Sequence, residues 1–266
     1  MKSRTSLIGA LGLSALLAGC GGGGGGGTTA ASTATTTAAT AAAEGVYTGS
    51  TSTGSVFDTV VLDDGTYYAI YGTNGASGLT VNGFVQGQGT SGATTFTSSN
   101  LRDFTYTGST LSGTLSATYT PGVSVSGTVT ESSGSSTFTG NVPQSSSYVY
   151  NTPADINTVS GNWTANTLQG AGAPVSLTIN TNGTFSGAQG NCSFSGTLTP
   201  RASGKNIFDV TVNFGPTPCV LANGTASGIG LSYLTTNSAT QQTTRQLLVA
   251  VVDPTRQYGT LLFGQR

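Results

Sequence analysis

The chain has 266 residues, of which only 6% are charged; it carries eight Lys+Arg, nine Asp+Glu and no histidine, for a formal net charge of −1. Threonine (48), serine (32) and glycine (41) together make up about 45% of it. Such a chain has no basic footprint for nucleic acid, and without histidine it has no Ser-His-Asp or Cys-His catalysis and no His-ligated zinc or haem.

The amino terminus reads as an export signal. Met1-Lys2-Ser3-Arg4 is a short basic start, followed by an apolar run from Leu7 to Leu17. That run is about eleven residues, short of the roughly 20 that a helix needs to cross a bilayer, and it suits the apolar region of a cleaved signal. Residues 1–19 are therefore expected to leave the mature chain. The next four residues, Leu17-Ala18-Gly19-Cys20, resemble the lipobox of bacterial lipoproteins. The resemblance implies cleavage after Gly19, diacylglycerol on Cys20 and acylation, typically by palmitate, of the new amino terminus. Two or more acyl chains anchor stably, at about 0.8 kcal/mol per buried methylene. Gly21 after the cysteine, where inner-membrane lipoproteins carry Asp, implies an outer-membrane destination in the bacterial cell envelope, facing the periplasm or the cell surface.

Residues 20–44 form the expected tether. Gly21 to Gly27 is unbroken glycine, and Thr28 to Ala43 holds only Thr, Ala and Ser. Neither stretch can bury a core, so both are expected to be disordered. As a flexible coil the segment averages about 25–30 Å end to end, with a limit near ~80 Å. A glycine run directly behind a lipobox also resembles the surface lipoproteins of the transferrin-binding-protein B and factor-H-binding-protein type. That resemblance covers the tether and the β-rich character. It implies surface display and a host or envelope protein or glycan as partner, without pointing to contact residues.

From Gly45 the pattern changes to period-two alternation, as in Phe57-Asp58-Thr59-Val60-Val61-Leu62, Val175-Ser176-Leu177-Thr178-Ile179 and Phe208-Asp209-Val210-Thr211-Val212. Short Thr/Val/Tyr-rich runs separated by Gly, Asn and Asp predict antiparallel strands. Asp64-Gly65 and Asn182-Gly183 are the strongest hairpin signals, and they suggest type I′ turns with positive φ at both central residues. No amphipathic helical stripe follows Glu44. The expected fold class is all-β: two tandem antiparallel up-and-down β-barrel or sandwich modules, over residues 45–147 and 158–266, joined by a linker within Val142 to Asn157.

The two modules look like copies. Gly45-Val46-Tyr47-Thr48 aligns with Gly161-Asn162-Trp163-Thr164 at an offset of 116, and Gly65-Thr66-Tyr67 aligns with Gly183-Thr184-Phe185 at an offset of 118. Each module has room for about eight strands, enough to close a barrel and remove exposed edges. Gly161-Asn162-Trp163 is similar to the first strand of lipocalins and avidins, where the aromatic plugs the barrel base. A core tryptophan of a β-sandwich accounts for it equally.

With Cys20 assigned to lipid, Cys192 and Cys219 remain in the exported part. An oxidising compartment and an even count predict a Cys192–Cys219 disulfide. Closing that loop contributes about 3.6 kcal/mol in the chain-entropy model. The acids are Glu44, Asp58, Asp63, Asp64, Asp103, Glu131, Asp155, Asp209 and Asp253. Most of them sit beside turns or on alternating strand faces, where solvation explains them. Asp58, Asp63 and Asp64 lack a calcium-loop pattern. No catalytic, cofactor-binding or metal-ligating residue is assigned, and no cofactor. The functional expectation is a membrane-anchored exported lipoprotein, not an enzyme, that binds or supports through module surfaces or loops. The alternative is a calycin-like carrier holding a small apolar ligand inside one barrel, which requires inward positions small enough to leave a lumen. An enzyme instead requires two carboxylates meeting in a cleft.

Overall fold

The computed structural model describes residues 43–75, 78–144, 148–168, 173–236 and 241–266. The readings on the signal segment, on Cys20 and on the tether up to residue 42 lie outside the described residues.

The first module consists of β1 (Gly45–Thr51), β2 (Val56–Val61), β3 (Thr66–Gly75), β4 (Gly78–Gln88), β5 (Thr90–Ser91), β6 (Thr95–Thr105), β7 (Thr110–Thr120), β8 (Ser124–Glu131) and β9 (Gly134–Asn141). Strands β1 to β4 and β5 to β9 pair antiparallel in chain order, β4 and the short β5 both pair with β6, and β9 returns to β1. Eight strands thus close a barrel. The second module is β10 (Gly161–Thr167), β11 (Val175–Ile179), β12 (Thr184–Gln189), β13 (Cys192–Pro200), β14 (Phe208–Phe214), β15 (Thr225–Thr236), β16 (Thr243–Val252) and β17 (Gly259–Gln265). These eight close in chain order, with β17 back on β10. Both modules are up-and-down barrels, which settles the choice between barrel and sandwich. Among the described residues the only helical piece is a 3-10 turn at Ile156–Thr158.

Alternation explains the strands. In β11 the residues Val175, Leu177 and Ile179 face the interior while Ser176 and Thr178 face out, because successive Cβ atoms point to opposite faces. Exposed faces are filled with Thr and Ser in place of charge.

The two strongest hairpins share one geometry, which differs from the type I′ expectation. Positive φ occurs at Gly65 (81°) and Gly183 (82°) but not at Asp64 or Asn182. The Gly65 amide donates to the Leu62 carbonyl, and the Thr66 amide donates to Asp64 Oδ1 at 2.8 Å. The Gly183 amide likewise donates to Asn180, and the Thr184 amide to Asn182 Oδ1 at 3.0 Å. This is a type I turn closed by a glycine bulge: the Asx side chain bonds two residues ahead and only the glycine needs the left-handed region.

The closed ends also match. Tyr47 Oη donates to the Ala43 carbonyl at 3.1 Å, and Trp163 Nε1 donates to the Val159 carbonyl at 2.7 Å. Both aromatics are buried, and the Arg266 guanidinium stacks on Trp163 at 4.4 Å from the ring centroid.

The barrels share a core. Outward-facing Val60, Tyr68, Ile70, Phe84 and Phe104 of the first pack with outward-facing Ile229, Leu248, Ala250, Val252 and Leu261 of the second. Every residue from Leu247 to Val252 is buried, alternately into its own barrel and against the other. Gly259 allows this approach, since a Cβ there would lie 2.8 Å from both Phe84 and Phe104. Polar ties frame the apolar contact. Arg201 binds Asp63 (2.7 Å), Asp64 (2.9 Å) and Asp209 (2.7 Å), and Arg256 donates to Gln86 and to the Asn100 carbonyl. The connection between barrels is packed as well. Tyr150 is buried and donates to Glu44 Oε1 at 3.0 Å, while the Asn206 amide donates to the Tyr150 carbonyl.

Candidate ligand cavities

Each barrel is closed at the end where Tyr47 or Trp163 sits and hollow toward the other. The second barrel holds a cavity of about 580 Å³, within the usual range for small-molecule sites. Its walls carry the short Val175, Val210, Val212, Ala226, Val249 and Val251 together with the larger Leu177, Leu198, Phe185, Phe194 and Phe214. No Asp, Glu, Lys or Arg lines it among the described residues. Its few polar groups lie at the rim, where Gln189 Nε2 donates to the Ala173 carbonyl at 3.2 Å.

The mouth is lined by the β12–β13 turn at Gly190, the long β14–β15 loop and the β16–β17 turn, with Ala173 before β11 and Gly108 of the β6–β7 turn beside them. The β14–β15 loop is held by the Cys192–Cys219 disulfide, with Cα atoms 4.8 Å apart, and by the Gly215 amide donating to Ser193. The predicted disulfide is therefore present, and it shapes the entrance to the lumen. Asp253 organises the β16–β17 turn by accepting from the amides of Thr255, Gln257 and Tyr258. Burial alone would raise its pKa, but these hydrogen bonds hold it below the ordinary carboxylate range. Val220 (84% exposed) and Tyr258 (55% exposed) leave apolar surface at the rim.

The first barrel holds a second cavity of about 380 Å³. Its floor is Val85, Leu101, Leu115 and Val129, and its rim carries serine and threonine hydroxyls. Asp103 faces this space at 6% exposure, and Tyr71 Oη donates to both of its oxygens at 2.9 Å. Glu131 lines the same cavity, so this pair meets the condition stated for an enzyme, two carboxylates in one cleft. Burial pushes the Asp103 carboxyl up to about 7; the Tyr71 hydrogen bond opposes the rise and the Glu131 charge adds to it. Burial raises Glu131 as well. Tyr67 also lines the cavity and is 3% exposed, and burial pushes its phenol up to about 12.

The sequence reading assigned most of the acids to solvated positions, and four of them behave differently. Asp63, Asp64 and Asp209 converge on Arg201 as a clamp. Asp64 keeps its turn role, and the Thr66 hydrogen bonds and Arg201 charge hold its pKa low against the opposing effect of burial. Asp103 departs most, being buried and inward. A bulge between Ser98 and Leu101 switches the strand's parity, so the even positions Phe96 and Ser98 and the odd positions Leu101 and Asp103 all face inward. No local signal announces such a switch. Arg201 and Arg256 were also unmarked in sequence. The continuous apolar run Leu247 to Val252 was the one available sign of a strand buried on both faces.

No protein-family model and no curated protein matches the chain. Among solved structures it is similar to the isotype 1 transferrin binding protein B from serogroup B Neisseria meningitidis, with TM-score 0.25 and 10% identity over 80% of this chain and 65% of that one. It is similar also to a mutant of the transferrin binding protein B vaccine antigen from Haemophilus parasuis Hp5, with TM-score 0.23 and 9% identity over 80% of this chain and 63% of that one. The chain thus spans somewhat less than two thirds of the length of either protein.

Proposed function

We propose that the chain is an exported, lipid-anchored binding protein of the bacterial envelope that acts without catalysis and carries a small neutral apolar ligand in its second barrel. The observation behind this reading is the lumen of about 580 Å³, walled by valine, leucine and phenylalanine side chains and free of charged ones among the described residues. The requirement stated for the carrier alternative, inward positions small enough to leave a lumen, is met by Val210, Val212, Ala226 and Val249. That moves the carrier reading ahead of binding by loops alone. A ligand entering the lumen gains about 25 cal/mol per Å² of apolar surface removed from water, and a charged ligand would lose its hydration without any compensating partner.

The domain parse belongs to this proposal: signal 1–19, lipidated Cys20 and tether to 44, barrels over 45–147 and 158–266. Duplication of one ancestral barrel is part of it too, supported by the Tyr47/Ala43 and Trp163/Val159 pairs and by the shared hairpin geometry. Outer-membrane placement and a host or envelope partner remain the expectation carried by the lipobox and tether.

The test is titration of the full chain with diphenylhexatriene, an uncharged apolar fluorophore. Saturable enhancement is expected, weakened about tenfold or more in Val212→Trp, whose indole fills the lumen. Non-saturable signal, or equal binding by Val212→Trp, overturns the carrier reading. Retention of Cys20→Ala in the membrane fraction overturns the anchor.

A further inference from the structure

The interior of the first barrel carries negative charge without a counterion. Asp103 on β6 and Glu131 on β8 line one cavity, and no Lys or Arg lines it among the described residues. The groups facing Asp103 are Tyr71 and Tyr67 from β3 and Glu131 from β8, while β4 and β7 contribute Val85 and Leu115. Arg102, next in the chain, lies on the opposite strand face and donates to Ser112 outside the barrel. A carboxylate removed from water is costly unless it is paired, and here the barrel gives Asp103 only a phenol.

The backbone around these side chains is cut to hold them. A Cβ on Gly83 would sit 2.4 Å from the Tyr71 hydroxyl, and one on Gly113 would sit 2.9 Å from Glu131 Cγ. Glycine on β4 and on β7 thus makes room for the phenol and the carboxylate beside the cavity. Phe57 and Phe138, edge to face at 5.7 Å, close one wall.

We propose that this cavity is a binding site for a small organic cation, a compact primary amine whose ammonium seats against Asp103 and Glu131 and whose hydrocarbon body rests on Val85, Leu101 and Leu115. Tyr71 and Ser133 give the two carboxylates neutral donors; an ammonium adds the positive charge that no side chain lining the cavity supplies among the described residues, together with charge-assisted hydrogen bonds. A neutral polyol leaves the charge uncompensated, and an anion meets repulsion. A hydrated divalent metal requires six or more oxygen ligands, whereas the floor is hydrocarbon and Tyr71 already occupies both Asp103 oxygens as a donor. Burial and the Glu131 charge raise the Asp103 pKa, and a cation beside it would act in the opposite direction. This site is separate from the second barrel's lumen, and either reading survives failure of the other.

Calorimetric titration of the full chain with cyclohexylamine, cyclohexanol, cyclohexanecarboxylate and calcium chloride tests it. At pH 8 cyclohexylamine is expected to bind about tenfold or more tighter than cyclohexanol, the carboxylate and calcium not at all, and Asp103→Asn to lose about tenfold. The near-isosteric Asn keeps the shape, with circular dichroism as the check on folding, and Glu131→Gln provides a second variant that should also weaken the amine. Affinity should fall as pH drops from 8 to 5.5, because Asp103 takes up a proton while the amine keeps its own. Asp103→Asn should reduce that dependence, and Val212→Trp should leave amine binding unchanged. Equal binding of cyclohexanol in Val212→Trp, whose second-barrel lumen is filled, amine affinity untouched in both carboxylate variants, competition by calcium, or no amine binding at millimolar concentration overturns the proposal.

Discussion

Buried at 6% exposure with Tyr71 as its donor, Asp103 holds a proton at pH values where a solvated aspartate has lost it. Its pKa rises from 3.8 to about 7 on folding, so between those values the folded state binds more protons than the unfolded one. Stability from this group is complete below the unfolded pKa and is lost as pH rises through the folded one, at up to roughly 1.4 kcal/mol per pH unit. Glu131 acts in the same direction. Asp64 and Asp253 act oppositely: their pKa values are lowered on folding, so their contribution is present above 3.8 and fades as pH falls below it. The windows do not overlap. Urea titrations of the ligand-free protein at pH 4.5, 6 and 7.5 should show declining stability, and Asp103→Asn should flatten that decline. An unchanged slope in the variant would refute the assignment.

Among the elements, the paired hairpins show how one turn is specified twice. Gly65 and Gly183 have φ of 81° and 82°, and an added Cβ would lie 2.4 Å from the Gly89 carbonyl oxygen and 2.2 Å from that of Leu198. Gly108, in the β6–β7 turn, has nearly the same φ (83°) with nothing within 4 Å of an added Cβ. Alanine at Gly108 meets only the backbone penalty, about 1 kcal/mol, whereas alanine at Gly65 or Gly183 adds a backbone clash and should cost about 2–4 kcal/mol. Urea midpoints of the three single variants check this, and equal losses would show that the close carbonyls yield. The disulfide works at the same scale. Replacing Cys192 and Cys219 together by serine should cost up to about 3.6 kcal/mol and loosen the β14–β15 loop over the lumen.

At the scale of the molecule, the barrels are one folding unit because they share buried surface. Phe84, Phe104, Leu248 and Leu261 sit in a common apolar cluster, and Arg201 pins the first barrel's Asp63–Asp64 turn to the second. A single calorimetric unfolding transition is expected. Arg201→Gln should lower its midpoint by an amount equivalent to about 1–3 kcal/mol, less at high salt, because it breaks three charge-assisted contacts on a side chain that is 15% exposed. Two separate transitions in the unmodified protein would show that the shared core does not couple the barrels.

Local pattern determined a good deal by itself. Alternation of Thr and Ser with Val, Leu and Phe made the folded part all-β. The Asp-Gly and Asn-Gly pairs placed two hairpins, and cysteine parity paired Cys192 with Cys219. These features depend on neighbours in the chain, and the period of two is a property of the backbone itself. What only the tertiary structure decided was non-local. Closure depends on β9 finding β1 and β17 finding β10, contacts between strands at opposite ends of each module. The type I geometry of the turns followed from how the flanking strands meet. A bulge turned Asp103 inward, and the inward apolar side chains of the second barrel became the walls of a lumen only once eight strands set its diameter.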